Sequence, residues 1–174
     1  MAFSNHQYVK RLSVSAMCIA ASIVLCRLLG FAPGGTSGLR FEFGFLPILL
    51  VAHLYGPLYG GMAYTLSDLI GAVLTTGINP FITLCKAAVG ALMGLFFYRR
   101  KLSLARSIVA FSVIAVTVEF ALMMLVFRYS FGMPWLTVVY QRVLTAFANL
   151  PLRILLSYTL GCILNERRGK IFYE

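Results

Sequence analysis

A chain of 174 residues with 60% hydrophobic and 11% charged side chains lies far from the roughly 25% charge usual for soluble domains. With a mean hydropathy of +0.89, it excludes an ordinary globular protein and points to an all-α integral membrane protein, one membrane domain over residues 1–174 by length. The net charge of +10 would suggest a nucleic-acid partner in a soluble protein. In a membrane protein it is tested first against the excess of Lys and Arg in cytoplasmic loops.

Each membrane helix needs roughly 20 apolar residues, so the length allows about six spans with short loops. The first is predicted over residues 12–30, in "MAFSNHQYVKRLSVSAMCIAASIVLCRLLG". Lys10-Arg11 ahead of an apolar run also suits a signal peptide. The run is long, however, Arg27 interrupts its end and no clear small-x-small cleavage site follows, so a membrane helix is the better reading. The second span, 42–55, is short and contains Pro47, which predicts a kink or shielding by neighbours. Gly56-Pro57 makes a tight turn into the third span, 57–76, with Pro at a helix start. Gly77 and Asn79-Pro80 do the same before the fourth, 80–98. The fifth and sixth spans are predicted over 107–128 and 139–164.

The basic residues then sort by side. Lys10, Arg11, Arg99, Arg100, Lys101, Arg106, Arg167, Arg168 and Lys170 fall at the N-terminus, the fourth-to-fifth loop and the C-terminus. In a six-transmembrane-helix bundle these share one side, which makes both termini cytoplasmic. Orientation thus accounts for most of the charge and leaves no nucleic acid to invoke.

The remaining charges carry more information. Arg27, Arg40, Lys86 and Arg142 map to the outer half of the bundle with Glu42 and Asp68, while Arg153 and Glu119 sit deeper. An uncompensated charge in hydrocarbon costs several kcal/mol, so an intramembrane ionisable residue is a functional-site hypothesis by default. The plain structural alternative is pairing, Arg40 with Glu42 or Lys86 with Asp68. Four outer cations against two outer acids leave a positive excess, which points to an anion or a water-filled, outward-facing pocket.

Catalytic signals are missing. His6 and His53 form no H-E-x-x-H, and there is no G-x-S-x-G and no P-loop. Cys18, Cys26, Cys85 and Cys162 lie in apolar stretches without C-x-x-C spacing and read as small buried hydrophobes. Neither an enzyme, a metal nor a cofactor is expected, and any energy for transport would come from a partner.

Three motifs carry a family resemblance. "LRFEFGFLPI", Leu39 to Ile48, resembles an Arg-x-x-Phe-Gly-Phe-x-Pro lead-in to the second span. "GPLYGGMAYTLSDLIGA", Gly56 to Ala72, resembles a Gly-Pro turn followed by Asp-x-x-Gly on the third. Ala16-x-x-x-Ala20 is similar to a small-residue docking motif in the first. In this order they resemble the substrate-binding (S) subunits of energy-coupling factor (ECF) vitamin transporters, most closely the folate family. The likeness covers spans one to four and continues more weakly into "RVLTAFANLPLRILLSYTLG". Gly90-x-x-x-Gly94, by contrast, reads as internal packing.

The resemblance implies a six-helix S subunit in a prokaryotic plasma membrane, with no ATPase of its own. It would capture a vitamin from outside and associate, through Ala16 and Ala20, with a transmembrane coupling protein (T component) and two cytoplasmic ATPases. Folate has a glutamate tail with two carboxylates, a flat spacer and a pterin head. Arg grips carboxylate bidentately, so Arg27 and Arg40 are the first candidates for the tail, with Arg142 and Lys86 second. Asp68 suits the amino-pyrimidine edge of the pterin, or pairs helices through Lys86. Phe43, Phe45, Phe81, Trp135 and Tyr140 are candidate walls, Trp135 being equally an interfacial anchor. Asn79 and Asn149 are candidate hydrogen-bonders, and Gly34, Gly35 and Gly38 a lid. Two alternatives stay open: the same class with pantothenate or another B-vitamin or precursor, and a structural membrane protein whose buried charges only pair.

Overall fold

The computed structural model describes residues 2–28, 42–75, 79–100, 102–132 and 134–171, and among them every regular element is helical. In chain order these are α1 (Ala2–Leu28), α2 (Phe45–Tyr55), α3 (Pro57–Thr75), α4 (Pro80–Phe97), α5 (Leu104–Ile114), a π-helical stretch (Ala115–Leu122), α6 (Met123–Phe131) and α7 (Trp135–Ile171). α5, the π stretch and α6 follow one another without a break, so the described residues form six rods where six spans are predicted. Tyr8–Cys26, Pro80–Phe97, Leu104–Ser130 and Trp135–Leu164 are long and apolar enough to cross a membrane, and Phe45–Tyr55 is a shorter apolar helix. Gly34, Gly35, Gly38 and Gly77 lie outside the described residues.

The punctuation works through backbone geometry. Asn79 caps α4 by accepting a hydrogen bond from the Phe81 N–H at 3.2 Å, with Pro80 at the first helical position. Gly56 ends α2 at φ 99°, its N–H donating to the Ala52 carbonyl at 3.0 Å. Pro47 is the third residue of α2, where its missing N–H is one of the four that have no partner within the helix anyway. The shielding expected of this span is present: Phe45, Ile48, Leu49, Val51 and Ala52 are all fully buried. At 11 residues α2 is only about 16 Å long, too short to cross alone.

Helix packing gathers the chain into two units, α1 to α4 and α5 to α7. In the first, α3 and α4 meet backbone to backbone. A Cβ at Gly60 would lie 2.7 Å from both the Gly90 carbonyl oxygen and the Ala52 Cβ, and one at Gly94 would strike Pro57. Only hydrogen fits, so the Gly90-x-x-x-Gly94 pattern is internal packing, as expected. At the far end of α2, His53 is buried with Nδ1 2.7 Å from the Phe97 carbonyl. With its proton on Nδ1 it donates to one of the carbonyls that α4 leaves without a helical partner.

In the second unit Ala110, Phe111, Ile114 and Val118 are buried, and Gly161 of α7 lies against Leu102 so closely that a Cβ would come within 2.5 Å of the leucine Cβ. Arg153, buried two residues beyond Pro151 in α7, donates to Glu119 of the π stretch. The two deepest charges of the sequence therefore compensate each other.

These glycines make a contrast that can be measured. Gly90→Ala places a methyl against fixed backbone and is expected to cost about 2–3 kcal/mol. Gly132→Ala faces open space at φ 62° and is expected to cost only about 1 kcal/mol of backbone strain. Thermal unfolding of both variants in detergent checks the order.

Candidate functional site

The first unit collects polar side chains toward one end of α3, the start of α4 and the approach to α2. Lys86, in the second turn of α4, extends its ammonium between two other elements. Nζ lies 2.8 Å from each carboxylate oxygen of Glu42, 3.5 Å from the Tyr64 hydroxyl and 5.1 Å from the Tyr64 ring centroid. The lysine side chain is 13% exposed and that of Glu42 24%, so both charges are largely removed from solvent. Coulomb attraction and a cation–π contact are strong in that setting and offset the loss of hydration.

One turn further along, a second polar layer forms. Asp68 follows Tyr64 by four residues on α3, and Thr83 precedes Lys86 by three on α4, so each pair shares a helix face. The buried Thr83 hydroxyl donates to Asp68 Oδ2 at 2.9 Å and has its own helix's Asn79 carbonyl at 3.2 Å. The charged and nearer oxygen is the better acceptor.

A third group fastens the approach to α2. Ser67 of α3 donates to Ser22 of α1 at 2.9 Å, and Ser22 donates to the Gly44 carbonyl at 2.7 Å. Both serines are buried. A Cβ at Gly44 would fall 2.6 Å from Cys26 Sγ and 2.9 Å from the Ser22 carbonyl, so glycine alone allows this approach. α1, α3 and the residues just after Glu42 are thereby tied together by interhelical hydrogen bonds.

The residues predicted from sequence fall into distinct places. Glu42 and Lys86 meet, whereas the pairing considered for Lys86 was with Asp68; the described donor to Asp68 is Thr83 instead. Phe43 is half-buried at the approach to α2 and Phe81, at the start of α4, is 58% exposed. Arg142, Trp135 and Tyr140 belong to the second unit. There the Arg142 guanidinium stacks 4.1 Å from the Phe127 ring centroid, Trp135 opens α7 and is exposed, and so is Tyr140. Asn79 serves as a cap, and the Asn149 amide donates to the Thr145 carbonyl at 3.0 Å. Ala16 and Ala20 lie exposed on α1, among the exposed Leu12, Met17 and Val24. Arg40 and the Arg27 side chain lie outside the described residues. Tyr64, Thr83, Ser22 and Ser67 were not singled out from sequence, although the four- and three-residue spacings to Asp68 and Lys86 would have flagged the first two.

The first unit thus carries a compensated ion pair and partnered hydroxyls on an apolar helical scaffold of the membrane-spanning class. Among the described residues no three His, Cys, Asp or Glu side chains cluster as metal ligands. Comparison with known proteins agrees with this class. A family model described as ECF transporter, substrate-specific component, matches residues 10–161, and the chain belongs to that family. The folate transporter FolT of Clostridium novyi (strain NT) is 35% identical over 107 residues, an alignment spanning 60% of each chain. A crystal structure of FolT bound with folic acid is similar with a TM-score of 0.78 and 26% identity, covering 87% of this chain and 92% of that one.

The Glu42–Lys86 pair can be tested by a double-mutant cycle. Lys86→Met and Glu42→Gln are each expected to destabilise by about 3 kcal/mol, because each strands its partner. The double variant is expected to lose clearly less than the sum, read from thermal or denaturant unfolding.

Proposed function

We propose that residues 1–174 work as one membrane domain that captures folate outside a prokaryotic cell and delivers it to a transmembrane coupling protein with two cytoplasmic ATPases. Both termini face the cytoplasm of the plasma membrane in this reading. The observation that carries it is the likeness to the folic-acid-bound FolT structure over 87% of the chain, joined to family membership and to the polar groups of Glu42, α3 and α4.

The division of labour follows from the chemistry. Lys86 is neutralised by Glu42 and forms part of the wall with Tyr64. The carboxylates of the glutamate tail then fall to Arg27 and Arg40, whose forked guanidinium groups match carboxylate geometry. Asp68 takes the amino-pyrimidine edge of the pterin. Phe43 and Phe81 give apolar surface from the first unit. Hydrolysis of ATP belongs to the partner subunits, and the exposed Ala16 and Ala20 face of α1 offers the close helix approach that docking to the coupling protein needs.

Two experiments test this. Trp135 fluorescence or thermal shift of the purified protein should respond saturably to folate and not to thiamine, whose positive charge the arginines repel. Saturable binding of pantothenate in place of folate would reassign the ligand within the class, and silence toward all three would overturn the assignment. Separately, Ala16→Leu is expected to leave folate binding within about twofold while abolishing co-purification with the coupling protein, because a bulky side chain blocks small-residue helix contact.

A further inference from the structure

We propose that Thr83 is a positioning residue that sets ligand specificity, acting through Asp68; the inference rests on the folate reading. The Thr83 side chain is buried, and its single hydroxyl proton has two acceptors, Asp68 Oδ2 at 2.9 Å and the Asn79 carbonyl at 3.2 Å. The nearer carboxylate oxygen is the better acceptor of the two.

Geometry gives the bond its consequence. Asp68 projects from α3 and Thr83 from α4, and the glycine contacts hold these two helices at one spacing. The threonine therefore fixes the plane of the carboxylate. A carboxylate offers about four lone-pair directions over two oxygens. With one direction on Oδ2 taken, the rest present a planar double acceptor. That acceptor matches a ligand edge carrying two parallel N–H donors, an exocyclic amine beside a ring N–H. Discrimination for such an edge comes from a buried acceptor that would be left unpaired by a ligand without it. Valine at position 83 keeps the shape of threonine but removes the proton, leaving Asp68 without this fixed orientation.

The test measures dissociation constants by calorimetry for folate and for a folate analogue lacking the exocyclic 2-amino group. The proteins are the wild type, Thr83→Val, Thr83→Ala, Thr83→Ser, Asp68→Asn and the Asp68→Asn/Thr83→Val double variant, all as full chains in detergent. Thr83→Val and Thr83→Ala are each expected to weaken folate by about tenfold. They are expected to weaken the 2-desamino analogue far less, so the ratio between the two ligands shrinks. Thr83→Ser restores both folate affinity and the ratio to within about twofold, since it keeps the donor. The double variant binds no more weakly than Asp68→Asn, because the two residues act as one unit. An unchanged ratio in Thr83→Val and Thr83→Ala, failure of serine to rescue, or additive losses in the double variant overturns the inference while leaving the folate reading intact. A wild type that binds no folate overturns both.

Discussion

An ammonium group in a hydrocarbon-facing helix bundle has to be compensated, and in this protein the compensation comes from Glu42, 44 residues earlier in the chain. That constraint organises the first unit. Glu42 stands two residues before Gly44, whose carbonyl is held by Ser22, so the ion pair and the serine chain both pin the approach to α2. The interior that results is dry on the α2 side, where Phe45, Ile48 and Leu49 are fully buried, and polar where α3 and α4 carry Asp68, Thr83 and Lys86.

Rigidity is supplied by glycine. The close approach of Gly60 and Gly61 to Gly90, and of Pro57 to Gly94, lets α3 and α4 touch through their backbones, where dispersion contacts are dense and no side chain can rearrange. Tyr64 with Asp68, and Thr83 with Lys86, are carried on those same two helices. Their spacing is therefore set by backbone rather than by side-chain packing. The second unit uses a different device: an ion pair between Glu119 and Arg153 that spans from a π-helical stretch to a proline-containing helix. π-helical stretches often mark functional positions in helices, and here the π-helical stretch contains Glu119, the one acidic residue of that span.

Much of this was legible in the sequence because it is local. Hydropathy located six helices, Gly56-Pro57 and Asn79-Pro80 marked their turns, and the small-residue spacing at Gly90 and Gly94 announced close packing. Family motifs supplied the class. What periodicity could not supply was partnership across the fold. Lys86 chooses Glu42 over Asp68 because the approach to α2 passes closer to its ammonium, a fact of tertiary arrangement. The Ser67–Ser22–Gly44 chain joins three elements through residues that look unremarkable one by one. The position of Pro47 inside the first turn of α2, and the π stretch around Glu119, depend on where helices start and how they bend, which composition does not encode.

The central claim is that folate binds against the polar layers formed by Glu42, α3 and α4. Hydrogen–deuterium exchange of the purified protein with and without saturating folate addresses it directly. The account expects ligand-dependent protection in peptides that contain Glu42, Asp68 and Thr83, at the approach to α2 and the facing ends of α3 and α4. Folate binding that leaves all of those peptides unchanged, with protection confined to α5–α7, would contradict it.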